Sequence, residues 1–274
     1  MKFGYTLENF DVNLNPENLI DTVKLLELSG FESVWTVDHI MQPKGGHIPQ
    51  YDKISEVIVT LSFLGGKTNK IKLGVSALVL PIRNPILLAK QLATLDYLTN
   101  GRMLIVFVGG WNEGEFKFLG KDFKNRGKIF DEYIQIVKTL WMGKSDFDGS
   151  FYQFKNASFK PIRDDLKNKP ILIGGYVKSA IERAIHYGDG WHPGAMTGKE
   201  MEETIEPFRN QIGKKSFQLS VHSFISKNTD IEKFVNEYAE HGISRIIFDT
   251  TRTDIPPIER KDFLIKLCDF VKNY

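Results

Sequence analysis

The stretch Asn100–Phe116, NGRMLIVFVGGWNEGEF, decides how the rest of the chain is read. A turn at Asn100-Gly101 leads into the apolar run Met103–Val108, too short for a helix and rich in β-branched residues. Such a run reads as a strand buried on both faces. It stops at Gly109-Gly110, where the backbone turns freely, and Asn112, Glu113 and Glu115 follow at once. A buried strand that delivers glycines and then amide and carboxylate groups is how α/β proteins build sites. A tight loop with a solvated helix start looks the same in isolation. Recurrence of the pattern decides between them.

Outward from this segment, strand-like and helix-like stretches alternate. On the N-terminal side Lys2–Thr6 reads as strand and Pro16–Leu28 as an amphipathic helix, with Pro in its first turn and Gly30 beyond its end. Strand Ser33–Val37 runs into Asp38-His39 and a Gly- and Pro-rich loop through Pro49. Helix Ile54–Gly65, a strand from Ile71 to about Leu80 and helix Pro85–Leu98 complete this side. On the C-terminal side helix Lys128–Met142 precedes a break in rhythm at Asp146–Phe159. There Phe151, Tyr152, Phe154 and Phe159 around Asp148-Gly149 predict a short β-hairpin. Alternation resumes with strand Ile171–Ile173, helix Lys178–Tyr187, a short strand at Gly190–Pro193 and helix Lys199–Ile212. The chain ends with strand Phe217–Phe224, helix Ile231–Glu240, strand Arg245–Phe248 and helix Ile258–Val271. About eight strands, each followed by a helix, predict an α/β fold of the TIM (β/α)8 barrel type rather than a doubly wound sheet. The hairpin is inserted after the fourth helix. No linker, repeat or composition shift divides the chain, so residues 1–274 are expected to form one domain.

Composition narrows the function classes. A hydrophobic fraction of 42% with 26% charged residues is ordinary for a globular protein. The net charge of +2, with scattered lysines, gives no footprint for nucleic acid. The single cysteine, Cys268, excludes an internal disulfide, fits a reducing compartment and lies where a buried structural thiol is expected. No apolar run approaches ~18 residues and Met1-Lys2 leads directly into a strand, so neither a membrane span nor a signal peptide is expected. These features together predict a cytoplasmic protein.

In barrels of this kind sites lie at the C-terminal ends of the strands. Asp38-His39 is the sharpest pair there: imidazole suits proton transfer near neutral pH, though a histidine can also simply cap a strand. Ile173-Gly174-Gly175 before helix Lys178–Tyr187 reads as an anion site or as a plain turn, since glycines bring backbone N–H groups close to a phosphate at a helix start. Thr250, Thr251 and Arg252 compete for the same role. His39, His192 and His222 sit on different strands without ligand spacing, so no metal is expected. His222 can face the barrel interior, but reads first as a hydrogen-bonded core residue.

Taken together these strand ends resemble the luciferase-like monooxygenase superfamily of flavin and deazaflavin enzymes. The segments that carry the resemblance are Ser33–His39 (SVWTVDH), Pro81–Asp96 (PIRNPILLAKQLATLD), Gly101–Gly120, Arg126–Trp141 (RGKIFDEYIQIVKTLW) and Ile171–Pro193. They follow the family's order across nearly the whole chain, and look most like its short subgroup associated with coenzyme F420, a 5-deazaflavin. The resemblance implies an oxidoreductase whose cofactor ring lies at the barrel mouth. Asp38 and His39 would stand beside the ring, with His39 as proton donor or acceptor. A non-prolyl cis peptide at Ser76-Ala77 would lie behind it, and Asn112 would contact the ring or ribityl chain. Gly174, Gly175 and Tyr176, with Gly194, would form the phosphate-binding turns.

Three departures from the family pattern stand out. Val106 and Val108 replace glycines common on the fourth strand, so a narrower pocket floor, with Val108 against the cofactor, is expected. The loop before Asn112 lacks the catalytic glutamate of the sugar-phosphate dehydrogenase branch, and Pro43-Lys44 replace that branch's ring-stacking tryptophan. The expected cofactor is F420, with FMN in a two-component monooxygenase as the alternative and a non-catalytic flavin-binding protein as a third reading. Expected partners are a small organic substrate, a flavin or deazaflavin reductase and a second copy in a homodimer, with neither nucleic acid nor membrane.

Overall fold

In the computed structural model, which describes residues 1–10, 14–45, 48, 51, 53–212 and 216–274, eight parallel strands close into a ring. They are β1 (Lys2–Thr6), β2 (Ser33–Thr36), β3 (Lys72–Val79), β4 (Met103–Val108), β7 (Ile171–Gly174), β8 (Gly190–His192), β9 (Gln218–Phe224) and β10 (Arg245–Asp249). Hydrogen bonding runs β1-β10-β9-β8-β7-β4-β3-β2 and back to β1. The remaining pair, β5 (Phe147–Asp148) and β6 (Gln153–Phe154), is an antiparallel hairpin outside the barrel.

The helices are α1 (Pro16–Leu28), α2 (Val57–Gly65), α3 (Pro85–Leu98), α4 (Glu113–Phe118), α5 (Arg126–Trp141), α6 (Lys178–Tyr187), α7 (Gly198–Ile205), α8 (Arg209–Ile212), α9 (Ile231–Glu240) and α10 (Arg260–Asn273). Side-chain chemistry starts several of them. Asn15 and Asn84 accept from the first free N–H groups of α1 and α3, and Pro16 and Pro85 follow where no partner for an N–H is needed. The main core fills the space between strands and helices, and Cys268 is buried there on α10. Inside the barrel Trp35 packs with Val106, Leu172 and Ile247. Gly4 and Gly74 leave room for its indole: a Cβ on Gly74 would lie 2.3 Å from the ring, and one on Gly4 2.5 Å from Nε1.

Three elements differ from the sequence reading. The polar stretch after Gly109-Gly110 contains the short helix α4, so the hairpin follows the fifth helix by chain order although it follows the fourth long one. The helix expected over Lys199–Ile212 is interrupted by a 3-10 turn at Glu206–Phe208, where Pro207 has no N–H to continue the ladder. Ile54 forms an isolated bridge with Phe10 and the helix starts at Val57, capped by Glu56. Part of the loop through Pro49, including Gly46, His47 and Pro49 itself, lies outside the described residues. No helix is long and apolar enough to cross a membrane among the described residues.

Candidate active site

The C-terminal ends of the strands surround a cavity of about 850 Å³. Asp38, His39, Ser76 and Ala77 line it from β2 and β3. Val108, Gly174, Gly175, Tyr176 and Gly194 line it from the ends of β4, β7 and β8. Asn112 does not: its side-chain oxygen accepts from the Glu115 N–H and caps α4.

His39 is held from behind. Its Nδ1 lies 2.8 Å from Glu115 Oε2, and both side chains are buried. Glu115 Oε1 accepts from the backbone N–H of Ile40 at 2.6 Å and of Met41 at 3.4 Å. Burial pushes the Glu115 carboxyl up, but the hydrogen bonds from His39 and these amides outweigh it and hold the group below the usual carboxylate range. An ionised Glu115 fixes the proton on Nδ1 and leaves Nε2, on a ring that lines the cavity, with no partner among the described residues. The sequence reading finds no counterpart of the sugar-phosphate dehydrogenase branch's glutamate in the loop before Asn112; Glu115 lies after Asn112, and the winding of α4 brings it to His39.

Asp38 faces elsewhere. Its Oδ1 accepts from Arg83 at 2.7 Å and its Oδ2 from the Val79 N–H at 2.9 Å. Burial pushes its carboxyl up, while Arg83 and Val79 act in the opposite sense. Asp38 therefore ties the end of β2 to the end of β3 and positions its neighbour His39.

The floor is polar. Between Val75 and Leu78 the register of β3 against β4 shifts, and the Ser76-Ala77 peptide in this bulge is cis. Ser76 Oγ lies 2.8 Å from His192 Nε2 and 3.0 Å from His222 Nδ1. The chain continues from His222 Nε2 to Asp249 Oδ2 at 2.6 Å, and from His192 Nδ1 to Ser220 Oγ at 2.9 Å. Burial, His222 and Arg245 push the pKa of His192 far down, so this ring is neutral. Burial raises the Asp249 carboxyl, but His222 and Thr251 more than offset it and hold it low. Ser76 has one proton to donate. With a neutral His222 donating Nε2–H to Asp249, Ser76 donates to His222 and accepts from His192.

The cavity also carries positive charge. Lys124, Arg126 and Arg183 line it beside the start of α6. Arg126 donates to the Gly110 carbonyl at 3.2 Å and stacks 3.9 Å from the Phe123 ring centroid, while Arg183 pairs with Asp131. Val177 provides no side-chain cap for α6, and Gly175 has φ +121°. Gly174 lets the wall close against the fourth strand: a Cβ there would lie 2.8 Å from Val108 and 2.9 Å from the His192 carbonyl oxygen. Val106 and Val108 are thus matched by a glycine on the neighbouring strand β7. Of the competing trio, Thr250 bonds to Tyr5 and Thr251 to Asp249, while Arg252 reaches the cavity.

Substitution of Glu115 by glutamine tests the pairing. Loss of the carboxylate that orients the imidazole is expected to lower turnover while cofactor affinity stays near that of the wild type. A rate that falls only in step with the melting temperature would show that Glu115 merely holds α4 in place.

The chain belongs to the luciferase-like monooxygenase family, which it matches over residues 1–258. It is 32% identical over 196 residues to an F420-dependent glucose-6-phosphate dehydrogenase of Nocardia farcinica, covering 68% of this chain and 55% of that one. It is 29% identical over 217 residues to an FMNH(2)-dependent dimethylsulfone monooxygenase of Pseudomonas fluorescens, covering 76% of this chain and 57% of that one. The chain therefore spans little more than half the length of either relative. Its fold is similar to that of the coenzyme F420 dependent tetrahydromethanopterin reductase from Methanopyrus kandleri, with a TM-score of 0.75, 17% identity and 96% of each chain covered.

Proposed function

We propose that the chain is an F420-dependent oxidoreductase that moves a hydride between the deazaflavin and a small organic substrate. The residues present fit such a group: small side chains at Ser76 and Ala77 leave room on the cavity floor, and the cationic side beside α6 suits a phosphate. Ala77, Val108 and Gly174 would bracket the ring, and Gly175, Tyr176 and Gly194, with Lys124 and Arg126, would hold the phosphate. Bound there, the deazaflavin supplies the carbon that accepts or donates hydride and does not activate oxygen.

The observation that carries this reading is His39. An imidazole locked by a buried carboxylate, with its other nitrogen on the wall of a cofactor-sized cavity, is built to give or take a proton. Storage of a flavin needs no such group. Asp38 anchors the end of β2 from which His39 follows, and the rings of Tyr51 and Trp111 pack beside the imidazole.

The monooxygenase relative supports a second reading, in which reduced FMN arrives from a separate reductase. Fluorescence quenching in equilibrium titrations separates the two. F420 is expected to bind at least about tenfold more tightly than FMN, a difference of about 1.4 kcal/mol. Tighter binding of FMN would overturn the deazaflavin assignment, and binding of neither would overturn both.

A further inference from the structure

The cavity carries a second cationic group that the cofactor proposal does not use. Arg252 follows Asp249, at the end of β10, and its guanidinium lies 4.4 Å from the Phe224 ring centroid and 5.9 Å from that of Tyr51. Both rings line the cavity, as does Arg252 itself. Arg83, Arg245 and Arg260, in the same half of the barrel, each hold a carboxylate, respectively Asp38, Glu32 and Glu8. Arg252 forms no ion pair with any described residue. The acids closest in sequence are engaged elsewhere, Asp249 by His222 and Thr251 and Asp254 by the Lys227 N–H.

A guanidinium stacked on aromatic faces keeps its in-plane N–H donors free, and that fork matches the two oxygens of a carboxylate. The surroundings say what the carboxylate is attached to. The Tyr51 ring neighbours both Arg252 and His39, with its centroid 5.1 Å from that of the imidazole. Trp111 meets the same imidazole edge-on at 5.7 Å. A ligand reaching from Arg252 to His39 therefore runs along aromatic rings, which favour a flat, apolar body. The barrel order separates this region from the other cations. Arg252 follows β10, which lies three strands from β7 and four from β4 in the ring, and it is these two strands that Lys124, Arg126 and Arg183 follow.

We propose that Arg252 is the substrate-anchoring residue and that the substrate is a planar carboxylic acid, aromatic or conjugated, oriented with its carboxylate on Arg252 and its reacting end at His39. This rests on the cofactor reading, which gives the cations beside α6 to the cofactor phosphate.

Calorimetric titration with benzoate and with its uncharged counterpart benzamide tests the proposal, in protein saturated with F420 and in cofactor-free protein. Benzoate is expected to bind about tenfold or more tightly than benzamide, because a hydrogen bond to a charged group is at stake. In Arg252→Gln the preference is expected to vanish while cofactor affinity and melting temperature stay at wild-type values, since the residue is exposed and its side chain forms no ion pair with any described residue. Equal binding of the two probes, or no binding of benzoate, would overturn the proposal. So would an Arg252→Gln variant that loses cofactor affinity, which would give Arg252 to the cofactor instead. Failure of the cofactor reading shows separately, as wild-type protein that binds neither F420 nor FMN, and the benzoate–benzamide comparison in cofactor-free protein then still decides the role of Arg252.

Discussion

Replacement of His39 is expected to lower turnover by roughly 10²–10⁴-fold, the usual worth of a positioned general acid or base. The choice of variant matters because Glu115 is buried against the ring. His39→Ala removes one of the partners that offset the burial of that carboxylate, leaving the Ile40 and Met41 amides alone, and a destabilisation of about 1–3 kcal/mol follows from the unmet hydrogen bond. His39→Gln can still donate to Glu115 but cannot exchange a proton at neutral pH. Both variants are expected to lose turnover equally, with the glutamine form retaining a melting temperature closer to wild type. Cofactor affinity, measured by quenching, should change far less than the rate in either. If the glutamine variant turned over at the wild-type rate, His39 would be a strand-end support and nothing more. Combining His39→Gln with Glu115→Gln adds a check: two residues that act as one unit give losses far from additive.

The barrel was legible because each element carries its own period. The six residues Met103–Val108 form β4 with the boundaries read from the sequence, and Lys178–Tyr187 and Ile231–Glu240 are helices over the expected spans. Less legible was α4, which the sequence offered only as an alternative, a solvated helix start after the glycines. Its six residues, EGEFKF, include a glycine and alternate charge with aromatic rings, too short for a helical period to show. It exists because Asn112 caps it, Phe116 is buried, and Glu115 is drawn to His39. The cap is local, but the burial of Phe116 and the pairing of Glu115 with His39 are not visible from the segment alone.

The site divides the same way. Glycine pairs and a histidine just after a strand mark themselves by position, and Gly174, Gly175 and His39 all line the cavity. The pairings do not. Ser76 meets His222 across 146 residues and His222 meets Asp249 across 27. Which side chains face one another across the interior depends on barrel closure and the inter-strand register, and no strand encodes that by itself. His222 illustrates the point: it is hydrogen-bonded, as a core histidine should be, and it also lines the cavity. The two descriptions that the sequence offers for it are not alternatives.

Enlarging Ala77 to phenylalanine is expected to abolish cofactor binding while the barrel still folds. Ala77 sits in the β3 bulge, lines the cavity and touches the interior cluster of Trp35, Val106, Leu172 and Ile247. The backbone on either side cannot retreat easily. Ser76 is bonded to two histidines, and the Val79 N–H is held by Asp38. A phenyl group at this position therefore has two directions open to it. Toward Trp35 it overpacks a filled interior, which costs about 1–3 kcal/mol. Toward the mouth it meets only the recess proposed for the ring. The second is the easier course, so the melting temperature should fall little and the far-ultraviolet spectrum should stay that of a barrel. Cofactor affinity should fall by at least about 100-fold, equivalent to about 2.7 kcal/mol, because a flat ring cannot share that space with a second one. Ala77→Ser, nearly the same size, is expected to bind as wild type and controls for the chemistry of the position. A phenylalanine variant that folds and binds F420 with undiminished affinity would mean that the ring does not rest on β3, and the cofactor would then have to occupy the far side of the cavity, beside α6.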